Sequence, residues 1–285
     1  MLRIIVLFAA FAFSSSSFAG GGWAQPKGKG YFKLSEWWVS ADKHYTLDGM
    51  TDPNVTAGLY NTTFYGEYGF TNKLTGIINA PLLSRAVINN LVSITTNEII
   101  SKGDAINVPG DIDLILKYGF FQNTIVSLAA SLQVSIPIGE KAGGRGMNLQ
   151  TGDGEFNQIV RVDAGFPLGN SDSFSTYGNI YGAFNKRNKG FSDEVRYGVE
   201  LGIGILSQKL WLIGRYDALK SRNNKPSGPI EGSFFANNSE VTSITAEVSY
   251  LITDKFGVSA SYGTAISGKI IYAAPSYSFG VFLKV

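Results

Sequence analysis

His44 is the single histidine in the chain of 285 residues, and there is no cysteine. A serine–histidine hydrolytic relay would have to use His44 as its base. It lies in Asp42-Lys43-His44-Tyr45, in or beside a polar loop, and no Gly-x-Ser-x-Gly segment accompanies it. One histidine without cysteine leaves a transition-metal site short of ligands. Gly143-Gly144-Arg145-Gly146 has no phosphate-loop spacing. Gly152-Asp153-Gly154-Glu155 lacks the alternating oxygen ligands of a calcium loop. The expectation is therefore a protein that is not an enzyme, with no catalytic, cofactor-binding or metal-binding residue.

A second set of polar residues is more informative, because of where the pattern puts it. Glu67, Asp111, Asp113, Asp163, Glu200, Asp217 and Glu247, with Lys33, Lys117, Arg161, Arg196 and Arg215, recur inside segments of alternating hydrophobicity. A ring of one sign would argue for ion selectivity. This mixture argues first for mutual pairing in a shared interior, which makes buried charge tolerable. Contact with a polar solute is the second reading.

The elements that must position these residues are strands. In 126–136, Val126, Leu128, Ala130, Leu132, Val134 and Ile136 share one face, and Ser127, Ala129, Ser131, Gln133 and Ser135 the other. Residues 195–205 and 256–263 alternate in the same way. Successive side chains of a strand point to opposite faces, so one face can be greasy while the other is polar. The connections come in two lengths. Short turns fall at 71–73, 121–123, 167–172, 207–209 and 253–254, and longer polar loops near 41–53, 87–108, 137–155, 185–193, 220–239 and 267–274. Aromatics flank the short turns: Phe70, Phe120, Phe121, Phe166, Phe174, Trp211 and Phe256. Short turns at one end, long loops at the other and an aromatic girdle define an outer-membrane barrel. Five turns join ten strands, 32–40 opens the barrel and 277–285 closes it. The predicted fold is an all-β, antiparallel transmembrane barrel of about twelve strands, with both termini in the periplasm.

Composition agrees. The chain is 44% hydrophobic, 13% aromatic and only 16% charged, against about 25% charged for an ordinary soluble chain. A net charge of +2 gives no reason to expect nucleic acid. Arg3, the apolar run 4–13 and the small residues around Ala19 read as a cleavable leader over 1–19, with the barrel domain over 20–285. The run is too short to span about 30 Å of hydrocarbon. Localisation in a Gram-negative outer membrane follows, with membrane lipid as a partner. Tyr277, Phe279, Val281, Leu283 and Val285 form an apolar terminal face that resembles the signal read by outer-membrane assembly machinery.

Two loop features invite function. Ile88, Leu91, Val92, Ile94, Ile99 and Ile100 make one loop unusually apolar. They are expected to fold into the mouth as a gate. Lys186, Arg187 and Lys189, with Lys220, Arg222 and Lys225, form basic tips that could meet lipopolysaccharide phosphates.

Residues 110–118 (Gly-Asp-Ile-Asp-Leu-Ile-Leu-Lys-Tyr) and 134–139 (Val-Ser-Ile-Pro-Ile-Gly) resemble the small barrels named for the MetA pathway of phenol degradation. That resemblance implies an outer-membrane transporter for hydrophobic compounds. Residues 22–30 resemble the opening of XagA-type proteins, linked to exopolysaccharide production. The reading is a passive channel for small apolar or amphipathic solutes. The alternatives are a phospholipase-like enzyme and a structural or exopolysaccharide-associated barrel. Twelve strands lie between the eight that side chains fill and the sixteen that leave an aqueous pore, so a narrow lumen is expected.

Overall fold

In a computed structural model the chain is described over residues 20–53, 56–93, 95–122, 125–171, 173–226 and 235–285. The expected leader at 1–19 lies outside these residues. Twelve long strands follow one another: β1 (Gly30–Ala41), β2 (Ala57–Gly69), β3 (Leu74–Ile88), β4 (Ile112–Phe121), β5 (Ser127–Ile136), β6 (Gln158–Asn170), β7 (Ser175–Lys186), β8 (Glu194–Ile205), β9 (Leu210–Ser221), β10 (Glu240–Leu251), β11 (Phe256–Lys269) and β12 (Ser276–Lys284). Each pairs antiparallel with its sequence neighbours. β1 closes the cylinder against β12 in the register Tyr31↔Lys284 to Val39↔Ser276, so the twelve long strands close on themselves. The barrel and its count are as the alternation predicted.

Register fixes which face is which. Lys33 lies opposite Tyr65 and Phe282, and Ser131 opposite Lys117 and Arg161. One-residue slips would send these charges into the wall. The outer face carries Leu132 (60% exposed), Leu201 (55%) and Phe279 (54%). Leaving such a belt in water would cost about 25 cal/mol per Å² of apolar surface, and lipid removes that cost. No helix among the described residues is long and apolar enough to cross a membrane. Crossing is left to the strands.

One part of the wall departs from regularity. β3 pairs with β4 only over Leu74–Asn79, and its far half pairs with a short strand, Asp104–Val108. Between the two ladders stand Pro81 and Pro109, neither of which has an N–H to donate. The Gly110 N–H donates to the Pro81 carbonyl (2.9 Å) across the break. β3 thus runs past the mouth and carries the following loop outward with it.

Candidate functional site

Residues 20–27 belong to no strand and run inside the barrel, at the end where the short turns lie. Nothing in the alternation marks them, yet they reach into the lumen and bond to its wall. The Gly22 N–H donates to Asn179 Oδ1 (3.0 Å), and the Gln25 N–H to Thr75 Oγ1 (2.8 Å). Gln122 clamps the segment twice, accepting from the Ala24 N–H (2.9 Å) and donating to the Gly22 carbonyl (2.9 Å). Lys117 Nζ donates to the Trp23 carbonyl (3.4 Å), and Gln25 Nε2 to Glu67 (3.3 Å). The Trp23 ring meets Tyr177 edge-on, with centroids 5.7 Å apart.

Two glycines make the fit possible. A Cβ on Gly22 would lie 2.3 Å from the Ser127 carbonyl oxygen, and one on Gly165 would lie 2.5 Å from the Trp23 indole. Plug and wall approach so closely that neither position has room for a side chain.

Above this floor is a cavity of about 500 Å³, followed by a second of about 280 Å³ toward the long loops; Asn79 and Gln133 line both. The predicted polar residues converge here. Lys33, Lys117, Arg161, Asp163, Glu200, Arg215 and Glu247 line the larger cavity, and Asp111, Asp113 and Arg196 the smaller. Charges meet charges. Arg215 bridges Glu200 (2.5 Å) and Glu247 (2.8 Å), Lys33 also reaches Glu247 (3.5 Å), and Arg161 holds Asp163 (2.7 Å) while stacking on Tyr181. Arg196 pairs with Glu194 (2.6 Å). Asp217 accepts from the Tyr181 hydroxyl (2.7 Å), and Asp113 from Ser135 (2.5 Å) and Asn79 (3.2 Å). Glu67, fully buried, accepts from the Tyr65 hydroxyl as well as from Gln25. Between these groups Tyr31, Tyr65, Tyr177, Ile77, Ile115 and Ile213 give the larger cavity an apolar lining.

The mouth is narrowed by loop 137–157, which the hydrophobic pattern did not single out. Its Leu149 is buried with Val39, Leu59 and Ala86. Asp111 pins it, accepting from the Gly139 N–H (2.8 Å) and the Asp153 N–H (3.2 Å). Burial pushes the Asp111 carboxyl up to about 6, against those two N–H groups and with the help of nearby Asp153 and Asp113. Burial also raises Glu155, which accepts from the Asn188 N–H. Asp193 goes the other way. Burial opposes its charge, but Lys186, the Arg187 N–H and Asn224 hold it at about 2.

The apolar loop is not where the hydrophobicity put it. Ile88 ends β3 and packs inward beside Leu59 and Ala86. Leu91, Val92, Ile99 and Ile100 instead sit on a small hairpin (Leu91–Val92 with Ile99–Ser101) and are all exposed. The outward run of β3 carries them beyond the mouth. Ile94 falls outside the described residues. The basic tips also change character. Arg187 is buried between Asp153 (2.9 Å) and Glu194 (2.7 Å), Lys186 pairs with Asp193 and Lys220 with Glu240. His44 sits in a small outer sheet with Tyr45, Thr51–Asp52 and Ile271–Tyr272. Among the described residues no serine or carboxylate bonds to it.

A closed antiparallel barrel with a lipid-facing belt, a charged lumen and an internal N-terminal segment defines a transmembrane barrel of the outer-membrane kind. Residues 39–269 match the family model described as "Putative MetA-pathway of phenol degradation", and the chain belongs to that family. No curated protein sequence matches it. Its fold is similar to that of an outer membrane channel from Pseudomonas putida F1, with a TM-score of 0.60 at 14% identity, covering 93% of this chain and 98% of that one. It is also similar to the NanC porin, with a TM-score of 0.53 at 8% identity, covering 89% and 100%. At such identities the likeness is one of fold.

Proposed function

We propose that the protein is a narrow, plugged channel of the Gram-negative outer membrane that passes small amphipathic solutes by diffusion. The observation that carries this reading is the cavity of about 500 Å³, which mixes tyrosine and isoleucine surfaces with already paired charges and is floored by residues 20–27. Paired charges bind a polar solute weakly, so a solute can leave as easily as it enters. A wholly apolar solute would have to strip water from Arg161, Arg215 and their partners, which favours an amphipathic one.

In this reading residues 1–19 are a leader, both termini face the periplasm, and the terminal apolar face of β12 is read by the assembly machinery. Lipopolysaccharide phosphates meet Lys189, Arg222 and Lys225, for which no ion pair occurs among the described residues, in place of the full set of six cations. The protein is not an enzyme, and His44 has a structural place in the outer sheet.

The test is single-channel conductance and liposome swelling with the full-length protein and with residues 20–25 deleted. The expected result is small, brief openings for the parent and a larger steady conductance for the deletion. Equal impermeability of both, in protein shown to be folded, would overturn the proposal. So would turnover of a phospholipid that disappears in His44→Ala.

A further inference from the structure

In the larger chamber every lining carboxylate holds a cation: Asp163 holds Arg161, and Glu200 and Glu247 share Arg215. The smaller chamber, toward the long loops, is different. Asp111, Asp113, Asp153 and Glu194 line it. Arg187 bridges Asp153 and Glu194, and Arg196 adds a second cation to Glu194. Asp111 and Asp113 form no ion pair among the described residues. The charged neighbours that bear on the Asp111 carboxyl, Asp153 and Asp113, are both of its own sign. A space of about 280 Å³ therefore holds two carboxylates without a counter-ion.

Hydrogen-bonding capacity is left over at the same place. Each oxygen of Asp111 takes one backbone N–H, from Gly139 and from Asp153. Each oxygen of Asp113 takes one side-chain donor, from Ser135 (2.5 Å) and from Asn79 (3.2 Å). An ionised carboxylate accepts about four hydrogen bonds, so about half the capacity of each is unspent. Ser84, 1% exposed, and Asn61 line the same chamber, and neither the Ser84 hydroxyl nor the Asn61 carbonyl oxygen has a partner. Arg187 Nε is an unspent donor on the same wall, on a guanidinium already shared by two carboxylates. What the chamber lacks is a positive group with several N–H donors and no acceptor, which describes a primary ammonium. Register says what can be attached to it. Asn79 lies opposite Asp113, and Ile77 opposite Ile115, with all four lining the lumen. Two residues of strand separate the carboxylate from the isoleucine pair, about 7 Å at about 3.3 Å per residue. That is the reach of an apolar body joined to an ammonium through a short arm.

We infer that the smaller chamber binds the ammonium group of a small amphipathic amine, with Asp111 and Asp113 as counter-ions and the Ile77–Ile115 surface taking the apolar body. The inference rests on the channel reading above and names the class of solute that the channel passes. In a confined and partly desolvated space charge is the first discriminator. An anion of the same shape meets two like charges, and a neutral alcohol leaves them without a counter-ion.

The experiment is calorimetric titration of the refolded full chain in non-ionic detergent at neutral pH. The probes are 2-phenylethylamine, 2-phenylethanol and 3-phenylpropanoate, which share a ring and an arm and differ in charge. The amine is expected to bind about tenfold more tightly than the alcohol and to lose affinity as salt is added. The propanoate should bind more weakly than either. Asp113→Asn keeps the shape of the side chain and can still accept from Ser135, and heat-modifiable gel mobility checks that it is folded. It should bind amine and alcohol within about twofold of each other. Asp254→Asn, in a short turn at the opposite end, should keep the parent's preference. No preference for the amine in the parent overturns the site, whether or not the variant folds. So does an unchanged preference in folded Asp113→Asn protein. Displacement of the amine by an equal concentration of magnesium would mark a metal site and overturn it too. Flux into liposomes separates the two readings. Selective binding without flux of any probe overturns the channel and leaves the site standing, and flux without preference for the amine overturns the site alone.

Discussion

The plug is the feature whose removal is most easily measured, and Trp23→Ala is the sharpest way to loosen it. The plug runs from residue 20 to 27 and is ordered by about six hydrogen bonds inside the lumen. At about 1 kcal/mol each these give about 6 kcal/mol. Fixing the backbone costs at least about 1 kcal/mol per residue, or about 8 kcal/mol. The two nearly cancel, so the indole wedged between Gly165 and Tyr177 decides whether the segment stays docked. Truncating a fully buried tryptophan costs about 3–5 kcal/mol; Trp23 is half-buried, and about 2 kcal/mol is a fair share. Since residues 20–27 take part in no strand ladder, that loss falls on docking and leaves the barrel intact. A factor of ten for each 1.4 kcal/mol turns it into about a 30-fold rise in the undocked-to-docked ratio. Single-channel recording reads this as the fraction of time open, and thermal unfolding of the barrel should not move. An unchanged open fraction in folded Trp23→Ala protein would refute the argument, because the hydrogen bonds alone would then hold the segment docked.

Leu132→Arg, on the lipid face of β5, should cost about 2–4 kcal/mol in denaturant titrations from lipid, and Gln133→Arg, one residue further into the lumen face, far less; equal costs would refute the register. Asp111 has its carboxyl raised to about 6. Its folded form therefore prefers the proton, and its contribution grows as pH falls from 7 through 6 toward 4 and is lost above that window. With its partial exposure discounted, about 1 kcal/mol is expected, seen as larger protection factors in loop 137–157 at pH 5 than at pH 7, once exchange is divided by the intrinsic rate at each pH. Asp111→Asn should abolish that difference, and its persistence would assign the effect to another group. Deleting 91–99 should leave conductance unaltered, since the hairpin is exposed outside the mouth; a marked rise would return it to the lumen.

The alternation of residues such as Val126 to Ile136 made the wall legible, because a strand buried on one side and facing lipid on the other has no freedom in its pattern. Turn lengths gave strand count and relative direction for the same reason. The inward charges were legible as a set, and their mixed signs as pairs. Residues 20–27 were not. They have no period, and their contacts lie far away in sequence, from Gly22 to Asn179 for example. Ser127 reads as an inward-facing serine, but that it is fully buried beneath Gly22 depends on that same distant contact. The apolar hairpin misled because hydrophobicity says that a segment needs cover without saying which surface provides it. Here a proline-broken ladder between β3 and β4 took it away from the lumen.

With residues 1–19 removed as the proposed leader, the plug is an end of the chain and not a loop, and this governs how the protein can be handled. An end tethered only through Pro26 to Lys29 can enter a barrel that has already closed, with no threading past the β1–β12 seam. It also means that anything fused ahead of Gly20 must either follow it into about 500 Å³ or hold it out. An affinity tag at that position would report on an unplugged pore while appearing innocuous in every test of folding. A tag after Val285 would leave the plug seated.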